Sequence, residues 1–377
     1  MADRNAGTPP QAFMYRGADQ PMRRDLGITH VAVAGRDRPV RRREMAVSPF
    51  CTLLELSAGD ADPPSDILVV APLSGHFSIL LRDLVVGLLP RHRVLVTEWM
   101  NARHVALCDG VFDFEANIAC IIEGLRQLRP GGSVVAVCQG GTPALAATAL
   151  AAAAGGAISP AALVLIAAPI DPMANPTAVA TSVRAHTLTD IEDSSVRRVS
   201  GAYAGAGRRV YPAETQLAAL SAYLMRRLDR RGEMGRKLVE DDGDNPRQYP
   251  FLDLFTSVMD LDAACFLGSL KAVYHDRALC QGALRFHGER VDLGAIRGTA
   301  LMTIEGASDD IASPGQTSVA QELCPHIPDG RRHRMVIEGA GHFSLFHGDI
   351  WRARILPQIE QVLASAAGPA LRPSGGP

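Results

Sequence analysis

The stretch Val134–Ala154, VVAVCQGGTPALAATALAAAA, decides the fold. A β-branched apolar run meets a Cys-Gln-Gly-Gly turn, and an alanine-rich segment that favours helix follows. A cysteine therefore stands where a buried strand turns into a helix. Small residues bracket it in Ala136-Val137-Cys138-Gln139-Gly140. The pattern small-x-nucleophile-x-small lets a strand-to-helix turn be sharp enough to lift the middle side chain off a sheet. Ala136 fills the first small position, where Gly is usual. A helix N-terminus carries partial positive charge and free N–H groups, so it favours a thiolate and can hold an oxyanion. Cys138 is read on this basis as a nucleophile, with the Gln139 backbone amide as the first oxyanion donor. The competing reading is a core thiol at a strand end. That reading is adopted for Cys51, Cys108, Cys120, Cys265, Cys280 and Cys324.

Outward from the elbow, strands alternate with helices. Residues 29–35, 50–57, 66–72, 92–99, 133–138 and 161–169 read as strands. Residues 77–89 and 112–128 read as helices, the second with Asp113 as N-cap. Such alternation argues for βαβ units and a parallel sheet. It stops after residue 170, where charge rises, helices are amphipathic and no clear strand is seen. It resumes with strands at 299–306 and 333–339 and helices at 315–324 and 350–364. The pattern predicts an α/β fold with a mostly parallel, doubly wound sheet. A helical cap is inserted between the sixth and seventh core strands. The expected boundaries are a core over 27–170 and 296–366 and a cap over 171–295, with disordered tails at 1–26 and 367–377.

A nucleophile needs a base, and the base needs an orienting group. In α/β-hydrolases these follow in the chain order nucleophile, acid, histidine. Asp309 and Asp310 follow the strand 299–306, and His342 follows the strand 333–339. Both positions lie at strand C-termini, where open α/β sheets place their sites. One of the two aspartates is the acid, and the other a turn or cap carboxylate. The second oxyanion donor is expected from the loop after 66–72, at the backbone of Leu73 or Ser74. Ser74-Gly75 reads equally as a turn before a helix. Within the insertion, Leu217, Leu220, Tyr223 and Leu224 form an apolar helical stripe. It either faces substrate or packs the cap onto the core. Arg226, Arg227, Arg230 and Arg231 are assigned to the outer face.

The chain has 377 residues, 47% hydrophobic and 5% aromatic, with a net charge of −2. No basic face with interleaved aromatics occurs, which speaks against a nucleic-acid partner. The N-terminal segment lacks the apolar run of a secretory signal. No uncharged stretch reaches the ~18 residues of a membrane span. The seven cysteines are odd in number, widely spaced and without CxxC, against a disulfide framework or a zinc site. Reduced thiols fit a cytoplasmic chain.

The segments APLSGHF, AVCQ, PIDPMANPT, MDL, MTIEGASDDI, GQT and GAGHF together resemble the intracellular polyhydroxyalkanoate depolymerases. Those are α/β-hydrolases that cut stored poly(3-hydroxybutyrate). PFCTLLEL and TEWMNAR add to a resemblance that spans residues 45–365. It implies Cys138 as nucleophile, Asp309 (the first Asp of DDI) as acid and His342 as base. Two positions differ: Gly140 stands where the family often has Pro, and Asn101 where Asp is expected. The resemblance implies attack of the Cys138 thiolate on an ester carbonyl and a 3-hydroxyacyl thioester on Cys138. Water, or a thiol such as CoA, would then release the acyl group. No metal or other cofactor is implied. The implied partner is the surface of a cytoplasmic polyester storage granule; self-association into a homo-oligomer is left open. The rival readings are a polyester synthase, a granule-coat protein with an idle hydrolase fold, and a hydrolase of soluble esters.

Overall fold

The structure, a computed structural model, describes residues 25–59, 63–228 and 251–366; side chains at 224–228 and 251–252 are not described. Residues 1–24 of the tail expected over 1–26, the tail expected over 367–377, and the side chains of Leu224 and of the four outer-face arginines fall outside what is described.

Seven strands precede the insertion: β1 (His30–Val33), β2 (Arg36–Ser48), β3 (Cys51–Ala58), β4 (Ser65–Val70), β5 (His92–Trp99), β6 (Ser133–Val137) and β7 (Ala162–Ile166). The insertion carries β8 (Arg197–Arg198), β9 (Arg209–Tyr211), β10 (Leu261–Asp262), β11 (Arg285–Phe286) and β12 (Glu289–Arg290). After it come β13 (Ala300–Gly306) and β14 (Arg332–Ile337). One nine-stranded sheet runs β1-β2-β3-β5-β4-β6-β7-β13-β14. Every pairing from β5 through β4, β6, β7 and β13 to β14 is parallel; β1, β2, β3 and β5 pair antiparallel. This is the mostly parallel, helix-covered sheet that the alternation predicts.

The parallel strands are apolar on both faces, as a sheet covered on both sides must be. Ile67, Val69, Val94, Val135 and Ile304 face one cluster, with Leu84 and Val85 of α1 (Arg82–Leu88) and Ile359 of the last helix, Leu356–Ala366. Leu68, Leu95, Val134, Leu163 and Leu301 face the other, with α2 (Phe114–Arg126) and α3 (Gly141–Ala153). Each such side chain contributes about 1.5–3 kcal/mol on burial. Asp113 caps α2 through the Ala116 amide, as expected. No described helix is long and apolar enough to cross a membrane.

Five details differ from the sequence reading. β2, RDRPVRRREMAVS, is a strand that the apolar pattern hides, because its residues are mostly exposed and none is fully buried. The insertion holds five very short strands where none was expected. Residues 315–324 are mostly turn, with only a short helix at Ala320–Leu323. Leu26, assigned to the N-terminal tail, is 1% exposed, and its carbonyl accepts from Arg82. Among the thiols, Cys108 is exposed rather than in the core.

The insertion includes α4 (Ala178–Ala185), α5 (Leu188–Ser195) and α6 (Ala213–Leu228). Two buried arginines stitch it to the loop after β5. Arg103 forks onto Asp260 through two bonds of 2.8 Å, and Asp260 also accepts from the Ala213 amide. Arg208, 2% exposed, donates to the carbonyls of Val105, Ala106 and Gly110 and to Asp262. Asn101 joins the same junction, its Oδ1 accepting from the Asp260 amide. Removing one partner of a buried pair costs about 3–5 kcal/mol. Asp260→Ala is therefore expected to lower stability in urea by about that amount; a loss below about 1 kcal/mol would show that this junction is not under load.

Candidate active site

β6 ends at Val137 and α3 begins at Gly141, with a 3₁₀ turn Cys138–Gly140 between them. Cys138 sits at φ +51°, in the left-handed region that non-glycine residues rarely occupy. Such a conformation costs about 1–3 kcal/mol and persists only where the surroundings enforce it. The enforcement here is close packing. A β-carbon on Gly140 would meet the Val70 carbonyl at 2.9 Å, and one on Gly141 would meet the Ala168 side chain at 2.3 Å. Two glycines thus let α3 press onto the ends of β4 and β7, and the turn must be tight.

His342 follows β14, and Asp309 follows β13. Their side chains meet at 2.7 Å between Nδ1 and Oδ2, both buried. The other Asp309 oxygen accepts from the Ile311 and Ala312 amides at 2.8 and 2.9 Å. Cys138 is near enough to the His342 ring for its charge to favour the protonated imidazole, and Nδ1 of that ring is engaged by Asp309. The structure thus brings Cys138, His342 and Asp309 together in that order. Asp310 points elsewhere and accepts from the Tyr223 hydroxyl at 2.9 Å. Burial alone would lower the His342 pKa. The neighbouring Asp309 and Cys138 charges outweigh it and hold the imidazole well above its ordinary 6.5.

Two supports of this arrangement escaped the sequence reading. Glu305, at the buried end of β13, accepts from the amides of Gly315, Thr317 and Ser318 at 2.8, 2.9 and 2.9 Å. It ties down the far end of the loop that presents Asp309. A carboxylate inside the apolar run LMTIEG was the signal. His76 donates from Nε2 to the Phe255 carbonyl at 2.9 Å, since a carbonyl can only accept. Burial, with the His342 charge opposing protonation, takes the His76 pKa to about 4, so it is neutral at pH 7.

Leu73 and Ser74 lie on the loop after β4. The insertion pairs with this loop: Met259 N–H donates to the Gly75 carbonyl at 2.7 Å and Phe77 N–H to the Ser257 carbonyl at 3.0 Å. Leu73, Ser74 and Gln139 share the wall of a cavity of about 440 Å³ with Val183, Leu270 and Tyr274. All described lining residues are apolar, aromatic, hydroxyl, amide or imidazole in character. Of the predicted stripe on α6, Leu220 and Tyr223 pack against the core, whereas Ala219 lines the cavity.

An elbow at the end of a central parallel strand, with an acid and a histidine after the last two sheet strands, defines an α/β-hydrolase. Solved structures agree on the fold. Cfl2 from Burkholderia cenocepacia aligns with a TM-score of 0.52 at 16% identity, over 86% of this chain and 96% of that one. Epoxide hydrolase I from potato (Solanum tuberosum) aligns with a TM-score of 0.51 at 15% identity, over 86% and 99%. No curated protein matches the chain. The family model described as "PHB de-polymerase C-terminus" matches residues 167–367, more than half of the sequence. The chain belongs to that family, and it is a carboxylic ester hydrolase.

Because the Asp309 charge supports the imidazolium, Asp309→Asn is expected to lower the His342 pKa, as read from its ring signals in an NMR titration. A group raised on folding stabilises the native state below its unfolded value near 6.5, and that contribution fades as pH rises through the folded value. The variant should therefore lose more stability at pH 6 than well above the folded value. An unchanged His342 titration would mean that Asp309 does not set it.

Proposed function

We propose that this protein is a poly(3-hydroxybutyrate) depolymerase that cuts ester bonds through Cys138, His342 and Asp309. The observation that carries the reading is the Asp309–His342–Cys138 relay beneath a strained elbow. The Cys138 sulfur attacks the ester carbonyl, and the developing oxyanion is held by the backbone amides of Gln139 and of Leu73 or Ser74. As the C–O bond breaks, the His342 imidazolium gives its proton to the departing alkoxide. A 3-hydroxyacyl thioester remains on Cys138. His342, now neutral, takes a proton from water as the water attacks, and the thiolate leaves. Asp309 keeps the imidazole in the required tautomer throughout.

The uncharged lining of the cavity suits a neutral polyester segment. Residues 171–295 act as a cap over Cys138 that admits one polymer chain at a time. The partner is the surface of a storage granule in the cytoplasm, a reading that rests on family membership.

Cys138→Ala is expected to abolish release of hydroxybutyrate from amorphous granules while leaving the fold intact. Iodoacetamide should inactivate a Cys108→Ser protein by labelling Cys138, the exposed Cys108 having been removed. Full activity of Cys138→Ala sinks the mechanism. Asp309→Asn should cost on the order of 10⁴-fold in kcat. Asp310→Asn, which keeps an acceptor for Tyr223 and leaves the relay alone, should cost under about tenfold, the scale of one ordinary hydrogen bond. A reversal of that order would transfer the acid role to Asp310.

A further inference from the structure

Tyr274 lies in the π-helical turn Leu270–His275, which continues the helix Ala263–Ser269. Turns of this kind are rare and concentrate at functional sites. Tyr274 is 8% exposed, yet it lines the cavity that Gln139, Leu73 and Ser74 share. Its hydroxyl has no hydrogen-bond partner among the described residues. A buried phenol normally finds one, so a donor left open to a cavity points to a ligand.

The residue is also held in place from several sides. Arg184 donates to the Tyr274 and His275 carbonyls at 3.1 and 3.2 Å. Just beyond, Arg277 forks onto the buried Asp171 at 2.9 and 2.5 Å, and the Cys280 thiol donates to the Ile170 carbonyl at 3.1 Å. Ile170 and Asp171 belong to the segment that leaves β7 beside the elbow. The stretch that follows Tyr274 is thus tied to the segment that leaves β7. The phenol is close enough to Cys138 to feel its charge. Burial first, and that charge second, push the Tyr274 pKa up, so the phenol stays protonated and keeps its O–H to donate.

We propose that Tyr274 is a catalytic residue of the ester cleavage, its O–H donating a hydrogen bond to the alkoxy oxygen of the scissile ester as the C–O bond breaks. This rests on the reading of Cys138 as nucleophile. The S–C bond forms, the C–O bond breaks, and the proton that neutralises the alkoxide comes from His342. Tyr274 neither gains nor loses a proton. It stabilises the negative charge on the leaving oxygen until His342 delivers.

The test exploits leaving-group basicity. An ethyl ester expels a strongly basic alkoxide that needs such help, and a nitrophenyl ester of the same short acid expels a weakly basic phenolate that does not. Tyr274→Phe keeps the ring and removes the hydroxyl. Its kcat/KM on ethyl butyrate should fall roughly 10–100-fold, and on nitrophenyl butyrate by less than about threefold, as for a hydrogen bond to a developing charge on one substrate only. The nitrophenyl ester also reports that the variant is folded. Equal losses on both esters, or no loss on either, overturn the role of Tyr274 while an inactive Cys138→Ala leaves the nucleophile standing. Activity in Cys138→Ala overturns both.

Discussion

The contact of Gly140 and Gly141 with the ends of β4 and β7 is the constraint on which the site depends. Neither position has room for a β-carbon. With α3 so close to the sheet, the chain can pass from Val137 into the helix only through a left-handed residue, and that residue is Cys138. The strain of about 1–3 kcal/mol is small beside the burial of the alanine-rich helix and the strands beneath it. The cysteine therefore stays raised at the helix N-terminus.

Around that fixed sulfur the polar groups are arranged in tiers, each holding the one inside it. His342 reaches Cys138 and is oriented by Asp309; Asp309 is held by two backbone amides; Glu305 holds the far end of the same loop with three more. Buried carboxylates are costly without hydrogen bonds, and the backbone amides that hold Asp309 Oδ1 and Glu305 Oε1 cannot swing away. Such an arrangement needs little reorganisation when charge moves during a reaction.

Much of this was legible in the residues. The elbow, the parallel strands and the order of Cys138, Asp309 and His342 all rest on local patterns, namely apolar runs, turn residues and loops at strand ends. The choice between Asp309 and Asp310 was not legible from the residues themselves, because both occupy the same loop, and only the direction of each side chain separates His342 from Tyr223 as its partner. β2 was hidden for a different reason. It lies near the margin of the sheet with both faces largely in solvent, so its arginines carry no burial signal, although they suit a strand that must avoid pairing with other chains. Tyr274 was hidden because a π turn breaks the 3.6-residue period by which helical faces are read.

The insertion is more than an appendage to the sheet, because it supplies hydrogen bonds to the loop that carries Leu73 and Ser74. His76 and Val258 form an isolated antiparallel bridge, flanked by the bonds at Gly75 and Phe77. The segment that makes the bridge runs into Asp260, which Arg103 grips, and Asp260 in turn accepts from the first amide of α6. The loop expected to complete an oxyanion site is therefore ordered jointly by β4 and by the insertion. Trp99 and Thr97 fix its start through the Ala71 carbonyl and amide, while Ser257 and Met259 fix its end. Residues remote in sequence, from TEWMNAR and from MDL, meet at this junction, which accounts for two of the segments that carried the family resemblance without contributing a reacting atom.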